Sequence, residues 1–498
     1  MKASESRVAD RPYLLMPFRF LRFPESQDQY LAVSDSGEHL FLSAQELERF
    51  VTHKLHPDEP LYSKLESRHF LVEHGREPLE ILSANRLKTR VSHINDGPGL
   101  HLLVTTLRCD HGCPYCQVSR QVSNASPAQF DMSLEVANAA VDRIFETNGR
   151  ELTVEFQGGE PLLAPDVVRA VIEKVAKRAS AEGRHVRYVV CSTLHHLSDS
   201  LLDLFATHGV VLSTSLDGPR DLHDQNRPCA GGSYDKTVRA IERARTRLGA
   251  DSVSALTTIT RASLPRLREV VDEYVRLGFR EIALRPLSPY GFAARSVRHL
   301  GYSEHEFDVA YADALNYIVE LNVRGVPLVE TYATLLLQKV LSPFPAGYVD
   351  LRSPTGAGLG ALVYNYDGYV YPSDESRMLA EMRIDDLRLG RVSEPLPQLL
   401  SSSAAKLLEE WGVAEALPGC ADCAFVPYCG ADPVERLLTM RTTRGTRVSG
   451  KFCQRHTRAF WTIFRLLRDA TPATMGVLLS WLRPCGCSLT TYSGYMAA

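Results

Sequence analysis

Cys109, Cys113 and Cys116 crowd into the stretch RCDHGCPYC, and Cys420, Cys423 and Cys429 into CADCAFVPYC, with Cys453 further on. Closely spaced thiols in a reducing compartment point to metal rather than to disulfides. Three sulfurs on one tight loop suit three corners of an iron-sulfur cubane whose fourth iron keeps no protein ligand. A zinc site lacking its fourth ligand in view, with His111 inside the same loop, is the alternative, and inert reduced cysteines are another. Four sulfurs make a closed site. Spacing alone does not choose between a fully ligated 4Fe-4S cluster and structural zinc there.

The chain has 498 residues, 44% hydrophobic and 23% charged, the balance of an ordinary soluble protein of about three domains. A formal net charge of -3 gives no basic footprint, so nucleic acid is not the expected partner. The polar start MKASESRVADRPY is unlike a secretory signal, and no run reaches the ~18 apolar residues of a membrane span. A cytoplasmic location follows as the expectation, with no membrane partner.

These thiols need a scaffold. Six apolar runs, LLVTTL, LTVEF, VRYVVC, VVLSTSL, VSALTTI and REIALRP, alternate with amphipathic helical stretches between residues 100 and 295. That order predicts an α/β fold, a parallel sheet curled into a partial (β/α)6 barrel, with its active loops at the C-terminal ends of the strands. Residues 1–95 read as a small α+β module in which YLAVS and HLFLS form a hairpin and Ser43 with Glu46 caps the following helix. Residues 296–350 read as a helical connection, 351–470 as a C-terminal cysteine domain with two strands around an Asp-Gly turn, and 471–498 as a tail.

Further polar residues fall at strand ends. Gly158, Gly159 and Glu160 follow the second strand, where glycine allows backbone to approach a ligand and a carboxylate suits an ammonium; a plain strand-to-helix turn is the bland alternative. Ser192 and Thr193 follow the third strand. Ser215, Asp217 and Arg227 follow the fourth, where Asp217 either orients the other two or only caps a helix while Arg227 pairs locally. Of the remaining cysteines, Cys191 reads as core, Cys229 as a bystander, and Cys485 and Cys487 lie in the tail. His195 and His196 read as surface residues.

The spacing Cys-x3-Cys-x2-Cys after a first strand, with Tyr115 before the last cysteine, GGEP after the second strand and SLDGP after the fourth, resembles the radical S-adenosylmethionine (SAM) enzymes. The resemblance implies a 4Fe-4S cluster on Cys109, Cys113 and Cys116 that binds S-adenosylmethionine and cleaves it reductively to a 5'-deoxyadenosyl radical. It also implies cofactor contacts from Tyr115, Gly158, Gly159, Glu160, Ser192, Ser215 and Arg227. The second cysteine set resembles the SPASM domain of peptide maturases and implies an auxiliary 4Fe-4S cluster on Cys420, Cys423, Cys429 and Cys453. Ser353, Ser373 and Pro433 stand where ligands of a further auxiliary cluster are expected, which implies only one auxiliary cluster.

Taken whole, the order of segments resembles the radical SAM maturases of His-Xaa-Ser repeat peptides. That likeness implies a ribosomally made peptide as substrate, cross-linked or oxidised at a side chain. It further implies an electron donor such as flavodoxin or ferredoxin, and a partner maturase. The N-terminal module is similar to leader-peptide modules that add a strand to a sheet edge, with a docking or dimerisation role as the alternative. Formylglycine formation, as in sulfatase maturases, competes within enzymes; Glu330 and Tyr332 lie near the position of its aspartate base and, with Asp217, are the catalytic candidates. A non-catalytic zinc scaffold competes from outside enzymes.

Overall fold

A computed structural model describes residues 12–73, 78–346, 349–445 and 450–482, so Cys485 and Cys487 lie outside the described residues. The centre is one ten-stranded sheet. Its strands in chain order are β1 (Leu100–Thr106), β2 (Glu151–Gly158), β3 (His185–Cys191), β4 (Val211–Ser215), β5 (Val253–Thr258), β6 (Glu281–Arg285), β7 (Val329–Glu330), β8 (Ala361–Tyr364), β9 (Tyr369–Tyr371) and β10 (Gly390–Arg391). Strands β1 to β7 pair consecutively and in parallel, each sequence-expected strand appearing within two residues of its apolar run. β1 is buried along its whole length, as a central parallel strand covered on both faces must be.

Helices cross between the strands and seal the outer face. Ser133 and Ser198 cap two of them by accepting from Val136 N and Leu201 N, and Gly183 and Gly209 end two in the left-handed conformation. The core runs through Val154, Phe156, Val190, Leu212 and Ile282 and continues into the C-terminal helices.

The sheet does not stop where a new domain is expected at residue 351. β8 adds in parallel to the free side of β1, with Ala361 opposite Leu100 and Tyr364 opposite Leu103, and β9 and β10 follow antiparallel. Composition could not show this, because β1 is an interior strand only when a distant segment covers its second edge. The expected tail is also partly structured: Pro472–Leu482 is a helix that buries Leu478 and Trp481. No helix among the described residues is long and apolar enough to cross a membrane.

The N-terminal module has the expected hairpin, Gln29–Ser34 with His39–Ser43, and the capping box: Ser43 N donates to Glu46 Oε2 at 2.8 Å and Glu46 N to Ser43 Oγ at 3.2 Å. A third strand, Phe18–Arg22, pairs on the other side of the hairpin. The module seats on the Lys451–Arg468 helix, where the Phe23 ring lies 4.8 Å from Trp461 and Glu25 pairs with Arg465 and Arg468. Replacing Trp461 by alanine is expected to cost about 3–5 kcal/mol in chemical denaturation. Amide exchange in Gln29–Ser34 should accelerate as well; unchanged exchange would mean that other contacts hold the module.

Candidate active site

Strands β1 and β2 end against each other. Gly158 has φ +136°, and a Cβ there would lie 2.1 Å from the Thr106 carbonyl oxygen; one on Gly159 would lie 2.3 Å from that of Arg108. Both positions require glycine because protein backbone fills the space, so the approach that sequence reasoning assigned to a ligand is first an approach to β1. Gly159 N and Glu160 N donate to Thr106 O and Arg108 O at 2.8 and 2.7 Å. A register shift between Val104 and Thr106 accompanies this junction and re-aims the chain into the cysteine loop.

The loop is tied down on every side. Arg108 makes a bidentate pair with Asp131 at 2.7 and 2.6 Å, Gly112 N donates to Pro228 O, and Phe292 N donates to Cys116 O. Asp110 accepts from His111 Nδ1 at 2.8 Å and His196 Nε2 at 3.2 Å, and lies 3.5 Å from His195 Nδ1. Burial works against the Asp110 carboxylate, yet the histidine hydrogen bonds hold it well below the usual carboxylate range. His195, expected at the surface, is 6% exposed, and its ring lies 4.7 Å from His111. Cys229, expected as a bystander, joins them, all three ligand atoms lying within 4.8 Å of one another. No periodic signal in the sequence links residues so far apart.

Cys109, Cys113 and Cys116 line one side of a cavity of ≈170 Å³ above the ends of β2 to β6. Burial pushes the Cys113 thiol up to about 11 and Cys109 higher, so these sulfurs need a cation to become thiolates. Gly158, Gly159, Ser192, Ser215 and Arg227 line the same cavity, with Thr214, whose Oγ1 is buried without a partner among the described residues. Cys191 lines this cavity too, rather than the core, and its thiol donates to Glu155 at 3.3 Å.

Glu160 is placed differently from expectation. Its side chain is not part of the cavity wall: Oε1 accepts from Ser192 Oγ at 2.7 Å and Leu162 N at 2.9 Å, and Oε2 from Thr193 N at 2.7 Å. The carboxylate locks the end of β2 to the end of β3 with three of its acceptor positions. Asp217 does orient Arg227, through an unexpected intermediary. Tyr115 Oη donates to Asp217 Oδ2 while Arg227 Nη1 donates to Tyr115 Oη at 2.7 Å, and Thr258 N donates to Asp217 Oδ1 at 3.2 Å. Burial raises Asp217, with the Arg227 charge opposing. Three polar groups are thus fixed under the cavity before any ligand arrives, with Arg227 suited to a carboxylate.

Residues 103–273 match the model of the radical SAM superfamily. The protein carries a radical SAM domain. Among sequence relatives, a cysteine-type anaerobic sulfatase-maturating enzyme of Clostridium novyi is 23% identical over 330 residues, 64% of this chain and 83% of that one. Among solved structures, anSMEcpe with bound AdoMet (S-adenosylmethionine) and a Kp18Cys peptide superposes with a TM-score of 0.61 at 18% identity, covering 77% of this chain and 100% of that one. SuiB of Streptococcus suis bound to precursor peptide SuiA gives 0.52 at 14% identity, covering 89% and 100%. These likenesses place the radical SAM domain in an α/β fold with a cysteine-rich C-terminal region. The cavity chemistry fits the family's cofactor: three sulfurs, several hydroxyls and a guanidinium line one space.

The second cysteine set gathers beside the Lys451–Arg468 helix, which supplies Cys453. Successive turns carry Cys420, Cys423 and Cys429, and Phe425 between them stacks on Phe460 and Phe464. Burial, and then repulsion from Cys423, Cys453 and Cys420, pushes the Cys429 thiol up to about 12. Ser353 and Ser373 line different cavities. Ser353 donates to Glu415, whereas Ser373 caps the Asp374–Glu381 helix and Pro433 opens the Pro433–Met440 helix.

A chamber of ≈150 Å³ adjoins the radical SAM cavity, the two sharing Leu256, Arg285, Pro286 and Ser288. Tyr332 lines it and bonds His456 Nδ1 at 2.7 Å. Glu330 does not line it. It caps the Thr331–Leu341 helix by accepting from Ala333 N at 2.6 Å and takes the Tyr311 hydroxyl at 2.7 Å, so it is a buried structural acceptor and not a free base.

Two variants test this geometry. Gly159→Ala forces a Cβ onto Arg108 O and should lower the iron bound on reconstitution, while Gly99→Ala, whose Cβ meets only Glu151 O at 3.6 Å, should not. Tyr115→Phe removes the link between Asp217 and Arg227 and is expected to weaken S-adenosylmethionine binding about tenfold in equilibrium dialysis; unchanged affinity would separate Arg227 from the cofactor.

Proposed function

We propose that this protein is a radical SAM maturase that modifies a ribosomally made peptide, a His-Xaa-Ser repeat peptide being the substrate its segment order suggests, with loss of two hydrogens as a cross-link or side-chain oxidation. The observation that carries the reading is the pairing of an open three-cysteine loop with a polar cofactor cavity and an adjoining chamber at the same strand ends. Cys109, Cys113 and Cys116 would hold a 4Fe-4S cluster; with S-adenosylmethionine bound it supplies one-electron cleavage to a 5'-deoxyadenosyl radical, which takes a hydrogen atom from the peptide. Arg227, fixed by Tyr115 and Asp217, orients the cofactor carboxylate, and Ser192 and Ser215 offer hydroxyls beside it. The latch on Asp110 keeps the loop from following its ligand.

Cys420, Cys423, Cys429 and Cys453 would hold a second 4Fe-4S cluster that accepts the electron left on the substrate. Geometry supports a cluster over zinc in both sets. Sulfurs bound at ~2.3 Å to a single tetrahedral zinc lie ~3.8 Å apart, whereas among the described residues neither set brings three sulfurs within 4.8 Å of one another. Arg19, Lys88, Arg90, Lys339 and Arg352 line a cavity of ≈470 Å³ with Cys429, against only Asp35 and Glu415. That excess of positive charge suits an anionic four-thiolate centre. An outer edge of Phe18–Arg22 that pairs with no strand among the described residues supports peptide capture by the N-terminal module, and a flavodoxin or ferredoxin would deliver the electron. Formylglycine formation is less well served, since Glu330 is committed to a helix cap.

Anaerobic reconstitution should give about eight irons per chain, two four-iron clusters, and dithionite with S-adenosylmethionine should release 5'-deoxyadenosine. Cys113→Ala should abolish that release. Two zincs without iron would overturn the reading. Coexpression with a repeat peptide should show the loss of two hydrogens by mass spectrometry.

A further inference from the structure

The chamber beside the cofactor cavity is lined by carboxyl groups whose counter-charges are incomplete: burial pushes Glu375 well above the usual carboxylate range and Asp432 up to about 7, and a bound cation would return both to the charged form. Of its five carboxylates, Asp308 pairs with Arg458 at 2.9 Å and Glu435 with Arg455 at 2.6 Å. Glu375 and Asp432 form no ion pair among the described residues. Among the described residues the Asp432 carboxylate accepts from Val434 N and Glu435 N, at 3.0 and 2.9 Å, both on Oδ1, as the cap of its helix.

A second observation is independent of these acids. Tyr290 is 4% exposed and lines the chamber, yet its hydroxyl has no hydrogen-bond partner among the described residues. After burial, the charges of Asp432 and Glu375 act on it most, which sets the hydroxyl on the acidic side. That hydroxyl opens into the chamber, where a ligand can supply its donor or acceptor. A single metal ion is not that ligand, because the chamber acids do not bring three oxygens within 4.8 Å of one another.

Polarity changes along the chamber. Arg285, at the junction with the cofactor cavity, donates to Gln117 Oε1 at 3.3 Å and puts a positive charge at that end. Leu287, Phe307 and Phe452 add apolar lining to the chamber. A ligand with a cationic head and a carbon stem therefore fits one way round.

We propose that the chamber seats a cationic side chain of the substrate peptide, lysine, arginine or protonated histidine, its head held by Glu375, Asp432 and the Tyr290 hydroxyl and its stem turned toward the cofactor cavity. The inference rests on the reading of that cavity as the radical source. An ammonium has three donors and meets three acceptors here. Arg285 repels the head from the junction, so a stem C–H, not the charged group, faces the reacting end.

The test uses the full-length, reconstituted holoenzyme with S-adenosylmethionine and, as probes, the Nα-acetyl methylamides of lysine, arginine, histidine, norleucine and glutamate in anaerobic calorimetry. At least one cationic probe should bind about tenfold more tightly than norleucine, and the tightest identifies the side chain. Glu375→Gln should remove the preference, Glu375→Asp should retain part of it, and Tyr290→Phe should reduce it. Equal binding of norleucine, a preference that survives Glu375→Gln, or no binding of any cationic probe overturns the proposal. Absence of 5'-deoxyadenosine from the wild-type protein would instead overturn the radical reading, and the charge preference is measured without that product.

Discussion

The backbone of Gly158 and Gly159 lies against Thr106 and Arg108 with no room for a methyl group, and the rest of the site is arranged around that contact. Where β1 and β2 meet, the first must turn away, and its continuation is the cysteine loop. Interiors packed to solid density transmit such a constraint with little slack. The loop is then held at Asp131, at the histidines, at Pro228 and at Phe292, so protein contacts fix the backbone that carries its sulfurs. The rest of the cavity follows the same logic. Glu160 locks β2 to β3, and Tyr115 couples the loop itself to Asp217 and Arg227. Loop and cofactor wall are therefore one rigid assembly.

Much of this was legible in the sequence. Short apolar runs between capped amphipathic helices gave the six strands within two residues, and cysteine spacing gave both sulfur sets, because these signals are local. What was missed depends on contacts between distant segments. Nothing near His195 announces that it meets Asp110, and nothing near Glu160 shows that Ser192 and Thr193 will consume its carboxylate. Cys191 looked like core because it ends an apolar strand; the alternation of faces points it into the cavity instead. The two glycines were found for the right property and the wrong neighbour.

In the C-terminal region the positions Ser353, Ser373 and Pro433 have structural work of their own. Ser373 and Pro433 sit at helix starts, where a hydroxyl and a ring with fixed φ do useful work without a metal. Ser353 hydrogen-bonds in a different cavity from the one Ser373 lines. The room between the barrel mouth and these helices is a polar chamber. Its charge then becomes a variable that can change without disturbing the sheet beneath.

The parallel pairing of β8 with β1 has a bearing on biogenesis. Chains are made from the N-terminus, and domains tend to fold as they emerge. Here the strand that leads into the cysteine loop keeps one edge bare until Ala361–Tyr364 has left the ribosome. Until then the nascent barrel presents an unpaired strand edge, the kind of surface that chaperones shield and that aggregates if they do not. The strand that positions the cysteine loop thus gains its second neighbour only from a segment more than 250 residues further along the chain.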